Sequence, residues 1–274
     1  MRLTWLYVPG DRPDRFVKAV DSGADVVILD LEDAVAPSRK EYARRAVAEF
    51  LTQPHPVPVT VRVGELAGPE LLADLEAVAR APGLSGLRLP KVQAPGDVVE
   101  VARRLDTPTE LYCLLESAVG VESAYQIARA HPWVTGIGLG EADLRADLNV
   151  TDDAGLAWAR SRIVVASAAA ELGPPAMSVY PNVADEAGLA ESCRLGRRLG
   201  FLGRAALHPR QLPVIVEAFR PSPAEVERAT ELLAALEEAE LRQSGTVVLP
   251  DGRFADRAMV AAARRTVALA ARLG

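Results

Sequence analysis

Charged residues stand directly after short apolar runs at several points along the chain. Arg62 and Glu116 each close a run of strand-forming residues, so a charge buried there needs a partner or a metal. Asp143 follows Gly138 and Gly140, which allow a ligand to approach the backbone. Two carboxylates with open water positions are how proteins usually hold Mg2+. Glu116 and Asp143 therefore predict a divalent-metal site beside Arg62, with a plain Arg62–Glu116 ion pair as the alternative.

The elements that would position these residues alternate along the chain. Apolar runs rich in Val, Ile and Leu recur between turn residues, with amphipathic stretches of helical period between them, which is typical of a parallel sheet. Eight strands are predicted, at residues 3–8, 26–31, 57–63, 86–89, 111–115, 134–139, 176–179 and 205–207. The helices that follow them are predicted at residues 13–21, 40–51, 69–79, 96–104, 118–130, 156–172, 186–199 and 211–219.

This pattern predicts a (β/α)8 TIM barrel over residues 1–220. Continuously apolar strands are expected where helices cover one face and a packed interior covers the other. An open doubly wound sheet is the alternative, but eight βα units without an evident break favour closure. Two more helical patterns, 223–243 and 257–273, follow the eighth unit. Residues 221–274 are therefore expected to form a C-terminal helical extension, a lid that belongs to the same domain.

Composition and charge exclude several classes of protein. The chain has 274 residues, of which 49% are hydrophobic and 25% charged, as in a compact globular protein. Lys and Arg total 31 against 37 Asp and Glu, a net charge of −6, so no nucleic-acid partner is expected. The apolar run 3–8 is too short for a signal sequence or a membrane span. With only 2 cysteines and no CxxC pattern, a cytoplasmic location without a membrane partner is predicted.

In a barrel, the residues that follow the strands share one mouth, where catalytic groups are found. The polar residues expected there are the segment 9–12, Asp30, Glu32, Asp33, Arg62, Lys91, Glu116, Glu141, Asp143, the segment 180–182 and His208. Judged singly, most are ordinary loop residues: Asp33 reads as a solvated turn residue and Lys91 as a surface lysine. For His208, a hydrogen bond that orients its loop is the expected role.

Seven short motifs, in this order, carry a family resemblance. They are VPGDRP at 8–13, DLEDAV at 30–35, VRV at 61–63, LPKV at 89–92, LESAVG at 115–120, GEADL at 140–144 and HP at 208–209. The chain thereby resembles the citrate lyase β subunit and its stand-alone relatives, close to the malyl-CoA and citramalyl-CoA lyases of the HpcH/HpaI aldolase/citrate lyase superfamily. The resemblance spans nearly the whole chain.

The resemblance implies a Mg2+-dependent barrel lyase, with Mn2+ as an alternative metal. Such an enzyme acts on a 3-hydroxyacyl thioester of coenzyme A or of an acyl carrier protein, such as a citryl, citramalyl or malyl thioester, and releases an oxo acid and an acetyl thioester. The metal carboxylates map onto Glu116, which also contacts substrate, and Asp143. The arginine that contacts substrate and steadies the enolate oxygen maps onto Arg62.

The resemblance also implies an assembly, a homotrimer or hexamer, in which an aspartate of the C-terminal segment reaches a neighbouring subunit's site. Asp256 is similar to that catalytic residue, although relatives often have a proline two residues later, where this chain has Ala258. Asp30, Glu32 and Asp33 are expected to support the metal site. The basic residues expected to bind coenzyme A are Arg12, Arg15 and Lys91.

Three alternatives stay open at this point. The chain would act either alone on free CoA thioesters or as a subunit of a citrate lyase complex with a carrier protein. A metal-dependent aldolase that cleaves 4-hydroxy-2-oxo acids would use the same metal pair, because an α-oxo acid chelates Mg2+ in the same manner. A non-catalytic subunit that binds acyl thioesters is disfavoured by the complete set of Arg62, Glu116 and Asp143.

Overall fold

The structure, a computed structural model, describes the backbone of residues 1–241, 247–248, 254–255 and 257–274, and the side chains of residues 1–237 and 259–274. The chain divides into two compact units. The larger unit comprises Arg2–Ala218, and the smaller comprises Phe219–Gly274 together with Met1.

Parallel strands form one seven-stranded sheet in the larger unit. The strands are β1 Thr4–Pro9, β2 Val26–Asp30, β3 Val59–Arg62, β4 Leu84–Leu89, β5 Glu110–Leu115, β6 Val134–Leu139 and β7 Arg204–Ala206. Their order is β6-β5-β4-β3-β2-β1-β7. Every residue of β2 is buried, as the continuously apolar sequence of this strand predicts for a sheet covered on both faces. Seven of the eight predicted strands are thus confirmed.

The remaining predicted strand, 176–179, contributes an isolated bridge in place of a ladder. Met177 pairs in parallel with Arg204: its N–H donates to the Gly203 carbonyl at 3.0 Å, and its carbonyl accepts from the Ala205 N–H at 3.0 Å. In residues 1–241 no ladder joins this segment to β6. Two consecutive prolines precede the segment and another follows at 181, and prolines lack the N–H that a ladder requires.

The sheet is nevertheless strongly curled. One cavity of about 420 Å³ is lined by side chains from all seven strands and from residues 176–179. Both ends of the sheet therefore face the same space. The architecture is a curled, parallel seven-stranded half-barrel with helices, so the prediction of a complete (β/α)8 barrel is confirmed only in part.

Helices connect the strands, close to the predicted positions. They are α1 Phe16–Val20, α2 Lys40–Phe50, α3 Leu71–Val78, α4 Pro95–Ala102, α5 Ala118–Glu122, α6 Ala124–Ala128, α7 Glu141–Asp147, α8 Ala157–Ala169, α9 Glu186–Leu199 and α10 Gln211–Phe219. The helix predicted at 118–130 is divided at Ser123 into α5 and α6. Helix α7 was not predicted, and its first turn contains Glu141 and Asp143, acidic residues that favour a helix N-terminus.

The smaller unit contains the two predicted C-terminal helices. Helix α11 spans Pro223–Leu241 and helix α12 spans Arg257–Leu273, and they pack through Ala229, Leu232 and Ala263. A short antiparallel pair, β8 Val247–Val248 and β9 Phe254–Ala255, lies between them in sequence. That residues 221–274 act as a lid, and that they belong to the same domain as the barrel, stay predictions. In the described parts of the chain, no helix has the length and apolar character needed to span a bilayer.

Candidate active site

Arg62 is held by a bidentate pair with Asp30. These residues are register neighbours at the ends of β3 and β2, and the Arg62 Nε and Nη2 atoms each donate to one Asp30 oxygen at 2.7 Å. Asp30 also accepts from the backbone N–H groups of Glu32 at 3.0 Å and Ala34 at 3.2 Å, which fixes the loop after β2. Burial alone would lower the pKa of Arg62, but the Asp30 hydrogen bonds raise it above its ordinary value. The guanidinium is therefore a fixed, permanent cation at the carboxyl end of the sheet.

Glu32 lies beside Arg62 with its carboxylate incompletely satisfied. Its Oε2 is 2.8 Å from Arg62 Nη1 and its Oε1 is 3.3 Å from Lys91 Nζ, but neither contact has hydrogen-bond geometry. Both oxygens therefore lack a hydrogen-bond partner among the described residues. Burial raises the pKa of Glu32 to about 7, although Arg62 and Lys91 act to lower it. Lys91 also pairs with Glu65, so it is part of the site's charge network.

Glu116 and Asp143 come together at the mouth, as the sequence predicts. Glu116 follows β5 and is 4% exposed, and Asp143 lies in the first turn of α7. Burial raises the pKa of Glu116 to about 8, with further contributions from the charge of Glu32 and from a hydrogen bond with Asp143. A Cβ at Gly140 would lie 2.5 Å from Glu116 Cγ, so the glycine makes room for this carboxylate.

The pair fits a hard cation with open coordination positions. Glu116 Oε2 is buried and has no hydrogen-bond partner among the described residues. In the same residues no three His, Cys, Asp or Glu side chains converge closely enough to enclose a metal. Two carboxylates that leave several positions to water or substrate are the usual arrangement for Mg2+, whereas an all-protein cage is not.

Glu141, the other acid of this segment, is committed to a different partner. Arg160 of α8 donates to both of its oxygens at 2.8 and 2.7 Å and also to Asp153 at 2.6 Å. Arg160 is buried, so this network ties α7 firmly to α8. Asp143, two residues along α7, is left as the acid that faces Glu116.

The predicted coenzyme A residues occupy different places. Arg15 lines the main cavity and, with Arg12, an adjoining one that also contains Lys18 and His208. The Arg12 guanidinium is bound by Asp14 at 2.9 Å through two hydrogen bonds. Lys91 lies apart from them, beside Glu32.

His208 accepts a hydrogen bond from the Arg210 N–H at 3.1 Å, which is the loop-orienting contact expected of it. The predicted catalytic residue Asp256 lies outside the described residues, and its role stays a prediction. Asp33, more exposed than Asp30 and Glu32, stands 3.9 Å from Arg62 Nη1.

Four cavity or support residues were missed by sequence reasoning: Tyr7, Arg88, Tyr112 and Arg160. Arg88 lies within an apolar strand and is 4% exposed, and it packs on the rings of Tyr112 and Tyr7. A charged residue inside an apolar run was the available signal for Arg88. Arg160 gave no comparable signal, because its partners lie on other elements.

The fold and the site define an α/β protein with two adjacent carboxylates and a fixed arginine at the carboxyl ends of parallel strands. The chain belongs to the HpcH/HpaI aldolase/citrate lyase family, whose pattern matches residues 3–209. The family resemblance inferred from the motifs is thereby confirmed.

Relatives with known names agree with this membership. The chain is 36% identical to a (3S)-malyl-CoA thioesterase of Cereibacter sphaeroides over 271 residues, 97% of this chain and 93% of the relative. It is 32% identical to the citrate lyase subunit beta of Leuconostoc mesenteroides over 285 residues, with 98% and 93% coverage. The structure of CitE from Mycobacterium tuberculosis, in complex with magnesium, acetoacetate and coenzyme A, matches with a TM-score of 0.82, 31% identity and 98% coverage of both chains.

Proposed function

We propose that this chain is a Mg2+-dependent carbon–carbon lyase that cleaves a 3-hydroxyacyl thioester into an oxo acid and an acetyl thioester. The carrying observation is that the buried Glu116, one oxygen of which lacks a hydrogen-bond partner among the described residues, meets the exposed Asp143 in the same cavity as the fixed cation Arg62. The related CitE structure with magnesium, acetoacetate and coenzyme A supports the same metal and thioester class.

Glu116 and Asp143 would hold the metal and, through it, the hydroxyl and neighbouring carboxylate of the substrate. Bound Mg2+ supplies Lewis acidity, which lowers the pKa of the substrate hydroxyl and orients the bond to be cleaved. Asp30 and Glu32 keep Arg62 in one position. This positioning matters because a preorganised cation stabilises developing charge without reorganisation during the reaction.

The reaction needs two proton movements. The substrate hydroxyl would give its proton to a water in the cavity as the C2–C3 bond breaks, and the bonding electrons become the thioester enolate. Arg62 would stabilise the enolate oxygen through Nη1, because Nε and Nη2 donate to Asp30 and the contact of Nη1 with Glu32 at 2.8 Å lacks hydrogen-bond geometry. A proton then adds to the enolate carbon, either from a water held by Glu32 and Asp33 or from Asp256 of a neighbouring subunit.

The coenzyme A or carrier-protein arm would leave the cavity past Arg15 and Arg12, the basic residues that line the adjoining cavity. We propose free CoA thioesters as substrates, because the thioesterase relative is named for malyl-CoA and the related CitE structure contains coenzyme A. The alternative is that the chain acts on a carrier-protein thioester as a subunit of a citrate lyase complex. The homotrimeric or hexameric assembly and the cytoplasmic location remain predictions, and light scattering of the purified protein tests the first.

The experiment follows both products from citryl-CoA, (S)-citramalyl-CoA and malyl-CoA, with Mg2+ and with EDTA. Oxo acid is trapped as its hydrazone, and free thiol is measured separately. Lyase activity gives oxo acid and acetyl-CoA without free thiol. Hydrolysis, the second candidate favoured by the thioesterase relative, gives free thiol and a hydroxy acid without oxo acid.

Glu116→Ala should abolish metal-dependent oxo-acid release. Glu110→Ala is the matched control, since Glu110 begins the same strand at its opposite, exposed end, where it pairs with Arg2. No turnover of any CoA thioester, together with cleavage of 4-hydroxy-2-oxo acids, would contradict the proposal and establish the aldolase. Ligand binding without turnover of either substrate class would instead favour the non-catalytic subunit.

A further inference from the structure

Arg88 is a buried arginine without an acidic partner. It lies on β4 as the register neighbour of Arg62, lines the main cavity and is 4% exposed. Its guanidinium carbon is 4.2 Å from the Tyr112 ring centroid and 5.9 Å from that of Tyr7. Within the described part of the chain its side chain makes no ion pair and no hydrogen bond, in contrast to Arg62, which binds Asp30.

None of the acidic side chains that line the cavity pairs directly with Arg88 among the described residues. Asp30 and Glu32 neutralise Arg62, and Glu141 is bound by Arg160. Burying a cation without a counter-charge costs free energy, and an anion that enters the cavity removes that cost. The Arg88 guanidinium lies over the Tyr112 ring and near that of Tyr7. A planar guanidinium presents its N–H bonds in a fork that matches a carboxylate.

The position of Arg88 distinguishes it from the metal carboxylates. Tyr112 precedes Glu116 by four residues on β5, which is about 13 Å of extended strand. On the neighbouring strand, the Tyr112 ring lies against Gly136 and Gly138, whereas Glu116 lies against Gly140. Arg88 stacks on that ring, so along β5 it lies further into the cavity than Glu116.

We infer that Arg88 binds a second carboxylate of the substrate and selects thioesters whose oxo-acid half is a dicarboxylic 2-oxo acid. Thioesters that release a monocarboxylic oxo acid leave the guanidinium unpaired and bind less well. The substrate class rests on the proposed lyase function, because that function places the oxo-acid half beside Glu116 and Asp143.

The test compares the binding of (S)-malate and (S)-lactate to the Mg2+-loaded protein by isothermal titration calorimetry. Both chelate Mg2+ through a hydroxyl and a carboxylate, and they differ by the distal carboxylate. The wild type should bind malate more tightly, by roughly 10- to 100-fold, as expected for a charge-assisted pair. Arg88→Met should remove the preference and leave the lactate affinity unchanged, and Arg88→Lys should retain part of it.

Arg103→Met is the matched control, since it removes one positive charge from an exposed position outside the cavity. The comparison of two ligands on the wild type needs no variant, so it decides the question even if Arg88→Met fails to fold. Equal affinities in the wild type, or an undiminished preference in a folded Arg88→Met, would overturn the inference.

Failure of the proposed function gives a different pattern. An Arg88-dependent malate preference without cleavage of any thioester would uphold the carboxylate site and overturn the lyase. Thioester cleavage without a malate preference would overturn the carboxylate site alone.

Discussion

At the residue scale, the site depends on charges that are paired in unequal ways. Arg62 donates two short hydrogen bonds to Asp30, while Glu116 has a buried oxygen without a hydrogen-bond partner among the described residues. The first arrangement fixes a cation in place, and the second leaves a carboxyl oxygen where we propose that a metal binds. Removing one partner of a buried ion pair such as Asp30–Arg62 costs much more free energy of unfolding than removing a surface charge.

Asp30→Asn is expected to weaken both stability and catalysis. It leaves Arg62 buried beside one remaining acid, and the loss of a partner from a buried ion pair costs about 3–5 kcal/mol. Urea unfolding measures the stability change, and kcat/KM measures the effect of a misplaced Arg62.

The control for Asp30→Asn is Asp106→Asn, which breaks the exposed pair with Arg80. Exposed pairs contribute about 0–1 kcal/mol, so this variant should be near wild type. An equal effect of the two substitutions would contradict the fixed role of Asp30.

Mg2+ affinity should depend on pH through Glu116. The pKa of this residue is about 8 in the metal-free protein, mainly because of burial, so below that pH the metal must displace a proton. Affinity should therefore fall by up to tenfold per pH unit below about 8. Calorimetry in buffers of different ionisation enthalpy counts the released protons.

The same shift sets the sign of the stability change. The folded state binds a proton between the ordinary pKa of 4.5 and about 8, where the unfolded state does not. This contribution to the stability of the metal-free protein is therefore complete below pH 4.5 and is lost as the pH rises through 8. Glu116→Gln should remove this pH dependence, and an unchanged profile in that variant would show that another group titrates.

At the element scale, β6 and its following glycine make the space in which the carboxylates meet. Gly136 and Gly138 lie against the Tyr112 ring, and Gly140 lies against Glu116. Helix α7 then starts at once and brings Asp143 into position, while Arg160 ties this helix to α8. The glycines at 136, 138 and 140 are therefore needed for the placement of Tyr112 and Glu116.

Gly140→Ala should impair metal binding with the fold retained. The added Cβ would lie 2.5 Å from Glu116 Cγ and 2.6 Å from its Oε1, so the carboxylate must move away. Mg2+ titration should show an affinity loss of about tenfold or more, since a misplaced ligand or ligand support commonly has an effect of that size. Gly96→Ala is the control, because a Cβ there has no atom within 4 Å.

If Gly140→Ala binds Mg2+ as the wild type does while Glu116→Ala does not, the packing of Glu116 against residue 140 does not position the ligand. The two substitutions together thus separate the need for the carboxylate from the need for its position.

At the scale of the whole molecule, metal binding should be measurable as stability. A ligand that binds only the folded state at 100 times its Kd stabilises that state by about 2.7 kcal/mol. The melting temperature of the full chain should therefore rise with Mg2+ concentration and return to its starting value with EDTA. Glu116→Ala should melt at one temperature at every Mg2+ concentration, and a persisting rise in that variant would place the cation elsewhere.

Local sequence determined most of the larger unit. The apolar runs predicted seven strands, and the charged residues that close them predicted Arg62, Glu116 and Asp143 at one mouth. Both inferences depend on short segments and on the rule that parallel strands end at the same edge. The failure of residues 176–179 to form an eighth strand could not be predicted. The prolines around this segment lack backbone N–H groups, and the hydrogen bonds that are thereby lost would have joined it to strands distant in sequence.

The tertiary structure alone decided which charges are paired. Asp30 and Arg62 are separated by 32 residues in sequence, and only strand register joins them. The same register places Arg88 beside Arg62, where no acid of the described residues pairs with it. The position of α8 brings Arg160 into an ion pair with Glu141. Sequence thus determined that Arg62, Glu116 and Asp143 reach one mouth, whereas sheet register and helix packing decided which charged groups of the cavity are already paired.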